Sequence, residues 1–189
     1  MTGTRNASRT GMWRISLLVL CLASAAPLPG ATLEQLSLDD LIGKSTAIVR
    51  ARVVDSYADY RGAEIFTHWK LEVAEQWKGR AAAEVLVPGG SVRGYRQSVP
   101  GAPQLAAGKE YVLFLWTSKS GATYLTGWGQ GVFELAKDNA SKLVAMRALS
   151  GESVVERGTW RPVKDASLQM PYAELAARIS STLGKGAGR

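Results

Sequence analysis

The 189-residue chain has one cysteine, Cys21, and one histidine, His68. Disulfide frameworks and structural thiolate metal sites need more of these residues. Period-two counting puts His68 on the wet face of a strand beside Phe66, Lys70 and Glu72, and with no cysteine near it only carboxylates remain as partners for zinc or base catalysis. No G-x-S-x-G nucleophile elbow and no phosphate-binding loop occurs. The string GWGQGV from Gly127 lacks dinucleotide-binding spacing and precedes no helix. Basic residues form no stripe, Arg93 with Arg96 being the nearest approach to a patch, so nucleic-acid binding has no electrostatic footprint. Long apolar runs are absent too: residues 15–23 (ISLLVLCLA) are half the length a membrane span requires, about 18 residues or more.

That short run has a different meaning in its context. Arg5, Arg9 and Arg14 precede it, no acid appears before Glu34, and Ser24, Ala25, Ala26 and Pro27 follow. These are the three parts of a secretory signal peptide, with Ala23-Ser24-Ala25 as the cleavage signal and residues 1–25 as the leader. Leu20 before Cys21 is too large for a lipidation site. Cleavage removes the only cysteine and three arginines, so 20 basic residues face 16 acids and the net charge falls from +7 to +4. An exported chain without disulfides rests on its core alone and points to a bacterial periplasmic or extracellular setting.

Residues 26–146 read as one β domain. Ser37 is a helix N-cap, Asp39 and Asp40 suit the first turn, Leu38, Leu41 and Ile42 give an apolar face, and Gly43 is a stop. Residues 47–55 and 64–73 alternate as half-buried strands and predict an antiparallel pair. Trp77 follows as a loop plug, and residues 88–107, with three prolines, form a long irregular stretch that reads as functional or as a disguised hairpin. Residues 108–135 predict a buried strand over Tyr111 to Trp116, a Ser/Gly turn, and a return arm on which Gly127, Gly129 and Gly131 face one way if it stays extended. Residues 147–169 read as polar linker. Residues 170–183 read as an amphipathic helix with Tyr172, Leu175, Ile179 and Leu183 in one stripe, and 184–189 as a disordered tail. The fold expected is mainly β: a small antiparallel OB-like barrel of about six or seven short strands, a short N-terminal helix and a C-terminal helix.

The motifs L-S-L-D-D-L-I, A-I-V-R-A-R-V-V, V-A-E-Q-W-K-G, V-P-G-G, V-P-G-A-P, G-K-E-Y-V-L-F-L and G-W-G-Q-G-V-F resemble a group of small exported bacterial proteins. Their layout is similar to the OB-fold of netrin-like modules, including the tissue inhibitors of metalloproteinases. The shared elements are an early V-x-x-x-V strand, V-x-x-x-W-K-G, and G-x-x-Y-V-L-F, over residues 36–135. The resemblance implies a barrel and no mechanism, because those inhibitors chelate zinc through a mature N-terminal cysteine that this chain does not have.

Residues 91–98 (SVRGYRQS) place Arg93, Tyr95, Arg96 and Gln97 in one loop, a mix that suits an acidic or carbohydrate ligand or, equally, a solvated hairpin arm. Gly127, Trp128, Gly129 and Gly131 read as structural; Trp128 either fills the barrel or stands outside it, while Trp69 and Trp116 belong to core-like runs. No cofactor and no metal is expected. The function expected is a non-enzymatic exported module that binds a protein or an envelope glycan. The alternative is a carboxylate-dependent hydrolase acting on envelope polymers.

Overall fold

The computed structural model describes residues 32–80, 82–148, 153–164 and 167–186. The leader lies outside them. The described chain is mainly β, with a short helix near its start and a longer one at its end. In order it runs β1 (Thr32–Glu34), α1 (Leu38–Lys44), β2 (Ala47–Arg61), β3 (Glu64–Lys78), β4 (Glu84–Pro88), β5 (Gly90–Val92), β6 (Tyr95–Gln97), β7 (Glu110–Thr117) and β8 (Thr123–Leu125). A 3-10 turn (Trp128–Gly131) follows, then β9 (Val132–Lys137), β10 (Leu143–Arg147), β11 (Ser153–Val155), β12 (Pro162–Val163), β13 (Leu168–Pro171) and α2 (Tyr172–Gly186).

Two of these strands are long. β2 and β3 pair antiparallel over 15 residues each, with irregularities at Ile48/Val49, Arg50/Ala51 and Val53/Asp55. Each irregularity lets one strand advance a residue against its partner and re-aims the side chains beyond it. Trp77 lies within β3, at its end, and not in a loop. The main sheet has the order β13-β10-β9-β7-β2-β3-β4-β8, with β8 also paired to β7. The strands β7, β2, β3, β4 and β8 thus follow one another round a ring, joined between β4 and β8 by the single parallel pair Leu86↔Tyr124. The sheet continues from β7 into β9, β10 and β13, so it is not a clean closed barrel.

The apolar run of β7 is continuous because both of its faces are buried. Leu113 and Leu115 pack with Val49, Val53, Leu71 and Val85 inside the ring. Val112 and Phe114 pack outward with Ile48 and Phe133, under Leu41 and Ile42 of α1 and Leu175 and Ile179 of α2. The expected C-terminal stripe is therefore the face that docks α2, and Ser37 caps α1 in a reciprocal box with Asp40.

Several expectations are corrected. Residues 147–169 are not plain linker: β11 pairs parallel with β1, β12 pairs with β11, and β13 adds to β10. Pro171 closes β13 and does not open the helix, which runs on through Gly186 into the expected tail. Gly43 lies inside α1, one residue before its end. The return arm of the hairpin is extended only over β8. Gly129 and Gly131 belong to the 3-10 turn and Gly127 caps it in the left-handed region, so the three glycines do not line one face of a strand. The stretch from residue 88 does hold a hairpin, one of the two readings its sequence allows: β5 pairs with β6, with Arg93 and Gly94 at the turn, both at positive φ as a tight hairpin turn requires.

Candidate functional site

Five residues at mutually paired positions cross the ring from strand to strand. Tyr57 on β2 faces His68 on β3, His68 faces Leu86 on β4, Leu86 faces Tyr124 on β8, and Tyr124 faces Trp116 on β7. Their chain neighbours Val85 and Leu115 point into the core, so this row lies on the outside of the ring. Adjacent strands lie about 4.8 Å apart, which makes the row up to about 20 Å long.

The register comes from local chemistry. Gly121 donates its N–H to the Ser118 carbonyl and Ser118 to the Ala122 carbonyl, and that turn sets Trp116 opposite Tyr124. At the other end the irregularity between Val53 and Asp55 leaves Val53 buried inside and swings Tyr57 outside.

The rings touch. Tyr57 stacks on His68 with centroids 4.5 Å apart, Tyr124 stacks on Trp116 at 6.0 Å, and Phe66 meets Tyr124 edge-on at 6.2 Å. Trp116 is 47 % exposed, so the aromatic that the sequence places in the core stands on the surface. His68 stands on the outer face, as its parity predicts, with its side chain largely covered there at 12 % exposure. Its Nδ1 lies 3.1 Å from Glu84 Oε1, and Tyr57 Oη donates to Glu84 Oε2. A carboxylate can only accept, so the imidazole tautomer that pairs with it holds a proton on Nδ1.

Two clefts meet at Leu86. The first, about 670 Å³, is lined by Phe66, Pro88, Trp116, Tyr124 and Trp128, with Lys44 as its only charged residue. The second, about 590 Å³, is lined by His68, Glu84, Arg61, Arg80 and the hydroxyls of Thr117 and Ser120. Arg61 donates to Tyr124 Oη, and Arg80 has no hydrogen bond or ion pair among the described residues.

Trp128 reaches the first cleft from a backbone with φ of 56°, a region bulky side chains rarely adopt. The surroundings hold it there. Gln130 is buried, accepts from the Leu36 N–H and donates to the Glu34 carbonyl. A Cβ on Gly131 would fall 2.2 Å from the Thr126 carbonyl oxygen, and one on Gly127 2.6 Å from Leu36 Cδ1.

The loop residues singled out in the sequence lie elsewhere. Arg93, Tyr95, Arg96 and Gln97 form the β5–β6 hairpin; Tyr95 is 71 % exposed, and Arg93 and Arg96 have no ion pair among the described residues. Gln97 faces inward instead, its Oε1 accepting from the Ile65 N–H. None of the four lines either cleft at Leu86.

Away from the row, Arg50 is clamped between Glu110 Oε1 and Glu75 Oε1, each at 2.8 Å, and lies under the ring of Tyr172. Glu110 above all holds the guanidinium well above its usual pKa. Burial and then the hydrogen bond to Glu75 push the Tyr172 phenol up to about 12. Among the described residues no three His, Cys, Asp or Glu side chains come together as a metal site, and no helix is long and apolar enough to cross a membrane. Compared with family models, with curated proteins and with solved structures, the chain gives no match.

Proposed function

We propose that this chain is a non-enzymatic binding module exported to the bacterial envelope, and that a glycan of the envelope lies across the row from Tyr57 to Trp116. The observation that supports this reading most directly is the two stacked ring pairs, Tyr57 with His68 and Tyr124 with Trp116, on either side of Leu86 on the outer sheet face. The apolar C–H face of a sugar ring lies well on the negative face of an aromatic ring, and a row of such rings offers one platform per unit.

The ring of strands is read here as an OB-like barrel. The order β7-β2-β3-β4-β8, antiparallel except for β4 with β8, supports it. Export rests on the leader pattern in residues 1–25. Expression of the full chain in a bacterium is expected to yield a periplasmic product whose first residue is Ala26; a product in the cytoplasm with its leader intact would count against export.

The hydrolase alternative needs two facing carboxylates in a cleft. The aromatic cleft has none, and its neighbour has Glu84, which is already engaged with Tyr57 and His68.

The binding test is Trp116→Ala, read by retention of the purified protein in gels containing cell-wall polysaccharide. Loss of one stacking platform is expected to weaken retention by about 5- to 100-fold while the melt stays near that of the parent. Undiminished retention would remove the row from the site.

A further inference from the structure

The charges beside the row narrow the ligand. The aromatic cleft holds Lys44 and no carboxylate; the lysine meets Glu34 at a loose 3.8 Å, and that acid also holds Arg157 at 2.7 Å. The adjoining cleft holds Arg61 and Arg80 against Glu84 alone. Glu84 already meets the Tyr57 hydroxyl and the His68 ring, and neither Arg61 nor Arg80 forms an ion pair with it. Three cations thus border one aromatic platform, with Glu84 the one carboxylate in the two linings.

We infer that the ligand on this row is an acidic glycan, one whose sugar units bear carboxylates, with the ring faces on Trp116 and Tyr124 and a carboxylate in the cleft of Arg61 and Arg80. The inference rests on the glycan reading and adds the charge of the ligand to it. The guanidinium is suited to the task, because its planar fork matches a carboxylate and gains a charge-assisted hydrogen bond from it. Arg61 is already oriented, its Nη1 3.2 Å from Tyr124 Oη, so the cation stands at the edge of the stacking face. The hydroxyls of Ser120 and Thr117 line the same cleft and suit sugar hydroxyls. A neutral glycan offers these cations only uncharged hydroxyl and ring oxygens, which accept more weakly than a carboxylate and so favour an acidic ligand.

A single-stranded nucleic acid would also find stacking faces here. It needs in addition a cationic groove that follows a phosphate backbone. Three cations grouped about Leu86, on a mature chain of net charge +4 without a basic run, do not make such a track.

The experiment measures, by calorimetry, binding of the purified protein to an oligogalacturonate, to the neutral oligogalactose of the same length, and to an oligothymidylate. The expected result is that the oligogalacturonate binds at least about tenfold tighter than its neutral counterpart, with an affinity that falls as salt rises. Arg61→Gln with Arg80→Gln is expected to abolish that preference, the acidic oligosaccharide losing at least about tenfold more affinity than the neutral one, whereas Trp116→Ala weakens both by a similar factor. Equal affinity for the acidic and the neutral sugar overturns the acidic inference and leaves the glycan reading standing. Tighter binding of oligothymidylate than of either sugar overturns both, as does binding of none of the three. If the double variant melts early, Arg80→Gln alone, at an exposed position, serves in its place.

Discussion

Trp128 adopts a backbone conformation that disfavours a bulky L-residue by about 1–2 kcal/mol, so something nearby must hold it. Gln130 is one such support. Gln130→Leu leaves the Leu36 N–H and the Glu34 carbonyl without their partner, and urea unfolding is expected to show a loss of about 1–3 kcal/mol. Gly131 is another, since any side chain there runs into the Thr126 carbonyl. Gly131→Ala is expected to destabilise by about 1–3 kcal/mol through overpacking; an unshifted urea midpoint would contradict that close approach. The sequence makes the spacing of Gly127, Gly129 and Gly131 plain and suggests close backbone contact. It does not disclose that the contact comes from a 3-10 turn, because glycine is at home at either sign of φ and an alternating pattern reads as extended by default.

At the scale of the element, period and capping are readable where one face is buried and the register is regular. The box of Ser37 with Asp40 is visible as a pattern and present as a pair of reciprocal hydrogen bonds. The Ser37 hydroxyl above all holds the Asp40 carboxyl below its ordinary range. Its folded-state pKa is depressed, so the contribution is complete above the ordinary aspartate pKa and fades as pH falls through the lower, folded value. Ser37→Ala is expected to cost about 1 kcal/mol at neutral pH, and the gap between variant and parent to narrow in acid. Tyr172 gives the opposite sign. Its phenol is raised to about 12, so its stabilising share is intact below about pH 10 and is lost as pH rises towards 12. Tyr172→Phe is expected to flatten that part of the alkaline decline, measured by chemical denaturation at stepped pH.

Parity counting fails at the β2 irregularities. Val53 and Tyr57 have the same parity, yet one is fully buried and the other is 44 % exposed. An extra residue in one strand is invisible to a period of two, which is why the aromatic row was not legible. Trp116 was misplaced for a related reason, since it ends a run whose other members are buried on both faces. The strands between residues 153 and 163 span only three and two residues, too few to show a period, and they exist through pairing with β1 and with each other. In the β5–β6 hairpin the exposed pair Arg93 and Arg96 rests on no neighbour, so Arg93→Ala with Arg96→Ala is expected to leave the thermal midpoint unchanged.

Over the whole molecule, the apolar content of β2 and β7 was legible as core, and the helix stripes as its cover. The closure was not. Nothing local marks Leu86 and Tyr124 as neighbours, because strand pairing at long range depends on how far the sheet curls. Their single parallel pair has a consequence for motion. A ring closed by one residue pair is free to breathe at that place at lower free energy than where β2 and β3 run together for 15 residues. Backbone amides of β8 are therefore expected to exchange with solvent sooner than those of central β2. A ligand laid from Tyr57 to Trp116 crosses that seam, and by binding only the shut form it would act as a clasp, slowing exchange in β8 in proportion to its occupancy.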